Sequence, residues 1–187
     1  LVGHHRRHNP VIAAARDALE AGRIGRIVGA HVSILLGKPD DYFEAEWRRK
    51  PGAGPILTNL VHEIDILRHL MGEVVCVQAA ASDAIRGFEI EDSAAILLRF
   101  ASGALATVLL SDAAAAPWSW ELTAGENHDY PATGQTSAMI AGTRGSLEIP
   151  GLRLWVPDGP ASWYTPMRTE TLPKDDADPL VRQITHF

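Results

Sequence analysis

The sequence predicts an α+β domain: a mostly antiparallel, open-faced β-sheet with helices packed on one face. Three observations predict it. Two helical patterns fall within the first 71 residues, strand candidates crowd the chain from about residue 74 onward, and short glycine turns join several of those strands. The 187 residues, 46% of them hydrophobic, suffice for one domain with a core, so 1–187 reads as a single unit.

The elements follow in order. Leu1 to Arg7 reads as a short strand, and Asn9-Pro10 then supplies an N-cap with proline at the first helical position. A helix over 10–21 carries Val11, Ile12, Ala15, Ala18 and Leu19 on one face, and Gly22 is placed to end it. Alternation of Val28, Ala30, Val32, Ile34 and Leu36 with smaller or more polar residues predicts a strand over 26–36. Residues 38–54 form a polar loop with Tyr42, Phe43 and Trp47, closed by Arg48-Arg49-Lys50 and a Gly52-Ala53-Gly54 hinge.

A second helix starts at Pro55 and runs to Met71, before Gly72. Strands are then expected at 74–82, 93–100, 104–111, 118–124, 136–141, 145–149 and 152–156. Leu97 and Leu109 beside Ile96 and Val108 give both sheet faces apolar character. A sheet covered on one face only then predicts a homo-oligomer through the open face.

Composition narrows the partners. A formal charge of -6 with scattered basic residues opposes binding to a phosphate backbone, so no nucleic-acid partner is expected. No run of about 18 apolar residues and no signal-peptide layout occurs, so no membrane partner is expected either. The single cysteine, Cys76, lies in an apolar run and reads as a small hydrophobe, which fits a cytoplasmic location.

On the second helix, Leu57, Leu60, Val61, Ile64, Leu67 and Met71 form an apolar stripe, while Thr58, His62, Asp65 and His69 line another face. The bland reading of that row is solvated helix surface. The sharper one is a cleft wall in which His62, an imidazole that titrates near neutral pH, acts as acid or base. Zinc is a further reading, but the spacing H-E-x-x-H is missing, and no metal is expected. His4, His5 and His8 flank Arg6 and Arg7; in a strand they point to opposite sides and do not converge. No G-x-G-x-x-G, P-loop or G-x-S-x-G occurs.

Four stretches, taken in order, resemble the C-terminal domain of the Gfo/Idh/MocA oxidoreductases. They are V-G-H-H-R-R-H-N-P at 2–10 with E-A-G-R-I-G at 20–25, W-R-R-K-P-G-A-G-P at 47–55, N-L-V-H-E-I-D-I-L-R-H-L-M-G at 59–72, and A-G-T-R-G-S-L at 141–147. The chain opens without methionine and stops within an apparent helix, so the expectation is a fragment of a two-domain enzyme. The resemblance implies that a Rossmann half outside it binds NAD or NADP and contributes a lysine. His62 and that lysine would then handle the hydroxyl proton of a sugar, polyol or related hydroxy compound.

The resemblance also implies site neighbours. Thr58 stands where many members carry aspartate, so Thr58 and Asn59 become substrate-orienting candidates, and Asp65 a helix-face partner of His62. Trp47 and Arg48 fall where the loop reaches cofactor or substrate, and Arg7 falls beside the entry from the other half. The alternative from another class is a non-catalytic dimerisation or ligand-sensing module, motivated by Thr58. Alone, the fragment is expected to be inactive.

Overall fold

Alternation along two strands sets the architecture. In β3 (Ser93–Phe100) and β4 (Leu105–Ser111), Ala94, Ile96, Leu98, Phe100, Ala106, Val108 and Leu110 are buried, while Leu97, Leu105 and Leu109 stay exposed. One face therefore meets a core and the other meets solvent. The computed structural model describes residues 2–187.

Eight strands form one sheet. The others are β1 (Ile27–Leu35), β2 (Val74–Ser82), β5 (Ala138–Gly142), β6 (Ser146–Ile149), β7 (Arg153–Pro157) and β8 (Met167–Thr171). Their order is β2-β3-β4-β1-β5-β6-β7-β8. Only β1 and β4 run parallel, with Val32 opposite Val108; every other pairing is antiparallel. The expected α+β class with a mostly antiparallel open sheet is what the chain adopts.

Helix α1 (Pro10–Glu20) begins as the sequence predicts, with the Asn9 side chain accepting from the Val11 amide and proline at the first position. Helix α2 (Val61–Met71) ends before Gly72, whose φ of 94° only glycine takes readily. Val11, Ile12 and Ala15 from α1 and Ile66, Leu67, Leu70 and Met71 from α2 join the inward strand residues in one core. Helix α3 (Trp120–Thr123) is short, and helix α4 (Pro179–His186) packs against the first turn of the chain.

Four readings need correction. The expected opening strand at 1–7 is instead a 3-10 turn over His5–His8; Leu1 lies outside the described residues. The turn wins because Arg6 is drawn inward onto buried carboxylates, which an alternating strand would not allow. The strand expected at 118–124 is α3: the Ser119 hydroxyl caps it by accepting from the Leu122 amide, and Trp120 is buried. Alternation of Trp118 and Trp120 imitated a strand period there.

The apolar stripe predicted on the second helix holds only in part: Leu60, Leu67 and Met71 are buried and Ile64 packs against the core, but Leu57 does not. Its first turn, Ile56–Leu60, is a π-helix, and the wider turn leaves Leu57 60% exposed. From Leu60 onward the buried face runs through Glu63, Ile66, Leu67, Leu70 and Met71. Cys76, read as a buried hydrophobe, is only half-buried on β2. No reading of the sequence anticipated β8, an edge strand with four of its five residues exposed.

Two of the resemblance stretches meet in space. The Arg144 amide donates to the Ile24 carbonyl at 2.8 Å and the Thr143 amide to Arg26 at 2.9 Å. A Cβ on Gly142 would lie 2.2 Å from the Ile24 carbonyl oxygen, a backbone atom that cannot swing aside. Gly142→Ala is therefore expected to cost roughly 1–3 kcal/mol of stability, read as a lowered midpoint in thermal unfolding.

Candidate functional site

Past the end of β1 the chain stays beside the end of β4, with the Leu36 amide donating to Ser111 at 3.0 Å and the Lys38 amide to Asp112 at 2.7 Å. This pairing turns Lys38 toward the π-helical start of the second helix. Between them lies a cleft of about 280 Å³ lined by Lys38, Tyr42, Thr58, Asn59, Glu121 and Tyr130, among others. Two shallower depressions, of about 610 and 550 Å³, flank His31 on the open sheet face. They belong to the sheet surface; the smaller cleft is where polar side chains from four segments converge.

Thr58 sits on the cleft wall, its hydroxyl donating to the Gly54 carbonyl at 3.1 Å and lying 3.0 Å from Asn59 Oδ1. One turn later comes His62, half-buried, with the rings of His4 and His5 packed edge-on at centroid distances of 6.1 and 5.6 Å. Its Nδ1 is buried without a hydrogen-bond partner. Burial, assisted by the nearby Arg6 guanidinium, pushes the imidazole down to about 4 from 6.5, while Glu121 pulls the other way. At neutral pH the ring is uncharged, the form that accepts a proton.

Behind His62 lies a buried ionic cluster. The Arg6 guanidinium contacts Glu63 and Glu121, the latter at 2.6 Å, and all three side chains are nearly inaccessible. Burial pushes the Glu63 carboxyl up to about 7 despite Arg6, because Glu121 shares the same guanidinium and adds repulsion. Glu126 extends the group, accepting from the Trp120 indole at 2.7 Å and contacting His5 at 2.7 Å.

The expected site residues thus separate. Arg7 and Asp65 bind each other through two guanidinium contacts, one at 2.9 Å, clamping the first turn to α2. Asp65 therefore faces Arg7 rather than His62. His69 lies against Arg16 at 3.1 Å, so the polar row does not line one wall. Trp47 is 61% exposed, whereas Arg48 is held inward, donating to the Tyr42 carbonyl at 2.7 Å and stacking 4.1 Å over the Tyr42 ring. Among the described residues, no three His, Cys, Asp or Glu side chains are grouped to hold a metal ion.

Sequence reasoning passed over Lys38, Glu63, Glu121 and Tyr130. Glu63 carried a usable signal, since it occupies the core phase once Leu60 is taken as the first inward residue. Lys38 and Glu121 come together only through sheet topology, which local spacing does not encode.

A family model described as the GFO/IDH/MocA C-terminal domain matches residues 12–148. The chain belongs to that family. Among curated members, it is 34% identical over 110 residues to 1,5-anhydro-D-fructose reductase of Ensifer adhaerens, an overlap of 55% of this chain and 32% of that protein. It is 29% identical over 135 residues to levoglucosan dehydrogenase of Pseudarthrobacter phenanthrenivorans, covering 58% and 35% respectively. The chain thus spans about a third of the length of either GFO/IDH/MocA relative. Among solved structures, the WlbA dehydrogenase of Bordetella pertussis superposes with a TM-score of 0.64 at 26% identity, over 80% of this chain and 40% of that one. Among the described residues, no helix is long and apolar enough to cross a membrane.

Proposed function

We propose that this chain is the substrate-facing and oligomer-forming half of an NAD(P)-dependent oxidoreductase acting on a sugar, polyol or related hydroxy compound. The observation that carries the reading is His62, a half-buried imidazole held neutral one helical turn from Thr58 and Asn59, which line the polar cleft while His62 itself does not. Two neighbours support it: the WlbA structure contains NADH and UDP-GlcNAcA, and a levoglucosan dehydrogenase structure contains NADH and levoglucosan. We place the protein in the cytoplasm, in line with its single cysteine.

The residues fit a nicotinamide partner through their chemistry. His62, uncharged at neutral pH, takes the proton of the substrate hydroxyl. Bound nicotinamide supplies the hydride acceptor. Thr58 and Asn59 orient the substrate hydroxyls. The exposed Trp47 indole offers an apolar face to cofactor or substrate, and Arg48 fixes Tyr42 in the cleft wall. Arg7 and Asp65 act indirectly, by clamping the helix that carries His62. The test is to express the full-length protein and follow nicotinamide reduction over a panel of sugars, polyols and sugar acids. Turnover of at least one is expected; none would refute the reading.

A ligand-sensing module without chemistry is the second reading, favoured by Thr58 where many members carry a carboxylate. It predicts saturable sugar binding with no reduction of nicotinamide in the same assay.

The open sheet face supports self-association. Leu97, Leu105, Leu109 and Met139 are each between 38% and 48% exposed on it. The full-length protein is expected to run as a homo-oligomer by light scattering, and Leu97→Lys with Leu109→Lys to dissociate it. A monomeric wild type would remove the proposal.

A further inference from the structure

Lys38 is the one cation in the cleft whose charge is poorly answered. Its side chain is only 11% exposed, yet Nζ lies 3.5 Å from Asp112 and 3.4 Å from the Thr58 hydroxyl, both at the outer edge of hydrogen-bond range. The third neighbour is the Tyr42 ring, 4.9 Å away. Asp112 is itself shared, because Arg86 Nε donates to its Oδ1 at 2.9 Å, and its Oδ2 has no hydrogen-bond partner. Two cations thus face one buried carboxylate. Asp40, near Arg86 at 3.8 Å, lies in open solvent and screens little.

The opposite wall differs. Glu121 lines the same cleft, with one carboxylate oxygen held by Arg6 at 2.6 Å and the other, Oε2, buried without a hydrogen-bond partner. The cleft therefore sets an ammonium with only long contacts at the Lys38 end against a carboxylate that shares its guanidinium with Glu63 at the other. Thr58, the residue nearest Lys38 on the helix, adds a hydroxyl and no charge. Desolvation lowers the Lys38 pKa, the behaviour of a buried ammonium short of acceptors.

We infer that Lys38 receives a carboxylate of the substrate, so that the preferred substrates are anionic hydroxy compounds, such as sugar acids, in place of neutral sugars or polyols. The ammonium and the Thr58 hydroxyl grip the carboxylate, and the substrate's hydroxyls extend toward Asn59 and His62. This rests on the dehydrogenase reading above and deepens it by naming the substrate class.

The experiment compares matched pairs on the full-length protein: D-gluconate against D-glucitol, and D-galacturonate against D-galactose. Nicotinamide reduction gives kcat/KM, and calorimetric titration of each compound gives affinity whether or not turnover occurs. A preference of about tenfold or more for the acid is expected, since a hydrogen bond to a charged group is worth roughly 10- to 100-fold. Lys38→Met should raise the KM of the acid by a similar factor and remove the preference, while Lys38→Arg retains it. Thr58→Asp, which places a carboxylate beside the ammonium and does not depend on losing Lys38, should shift preference toward the neutral member.

Equal or better use of the neutral compounds by the wild type, or a preference that survives Lys38→Met and Thr58→Asp, would overturn the inference and leave the dehydrogenase reading intact. Absence of saturable binding by either acid would overturn it as well. Acid binding without any turnover supports the anion site and sinks the dehydrogenase reading instead.

Discussion

In the full-length protein, His62→Ala lowers kcat for oxidation by about two orders of magnitude or more, the usual loss when a general base is removed. The rate measured at saturating substrate and cofactor checks this; a variant within a few-fold of wild type would rule His62 out. The pH profile gives a second check. The base works when deprotonated, so activity through His62 is lost as pH falls through about 4, and no step near 6.5 should appear on the acid side. Stability follows the same sign. Between 6.5 and about 4 the unfolded chain binds a proton that the folded imidazole refuses, so this residue's contribution is present above 6.5 and lost on acidification. His62→Gln should flatten that part of the stability curve.

The second large effect belongs to Arg6. Arg6→Met leaves Glu63 and Glu121 facing each other in a buried site with no guanidinium between them. Breaking a buried ion pair from one side costs about 3–5 kcal/mol, and denaturant unfolding at neutral pH should show it. Glu63→Gln should cost less, because Arg6 keeps Glu121 and burial already brings Glu63 close to neutrality. The pH dependence separates the two variants. Glu63 holds its proton more tightly in the fold than out of it, so its contribution is present below 4.5 and lost as pH rises through about 7. Arg6→Met should therefore recover stability as the solution is acidified from 7. A loss that stays constant with pH would show that packing against Trp120, 5.6 Å from the guanidinium carbon, matters more than charge.

Where residues speak through local periodicity, the sequence was legible. Asn9-Pro10 marked α1, Gly72 marked the end of α2, and alternation in 93–111 marked the central hairpin and its two unlike faces. Reading failed where a tertiary partner overrode the local pattern. The His5–His8 turn exists to bring Arg6 to two acids distant in sequence, and no window of neighbouring residues reveals that. His62 and Thr58 could be singled out because they share a helix. Lys38 and Glu121 could not, because they meet only after β1 is laid beside β4 and α3 folds over the gap. The histidines at 4 and 5, expected to diverge, both reach His62 because a tight turn replaces the strand.

The widened turn at Ile56–Leu60 separates two kinds of freedom in one helix. Everything from Glu63 onward is bolted down by ions and core side chains, so its azimuth is fixed. Thr58 and Asn59 lie before that anchor, on backbone already wound one residue looser than an ordinary helix. Removing a residue there would swing them about the axis while His62 stayed in place. Under the proposed function, the substrate-orienting pair can thus be turned independently of His62 without disturbing what holds the domain together.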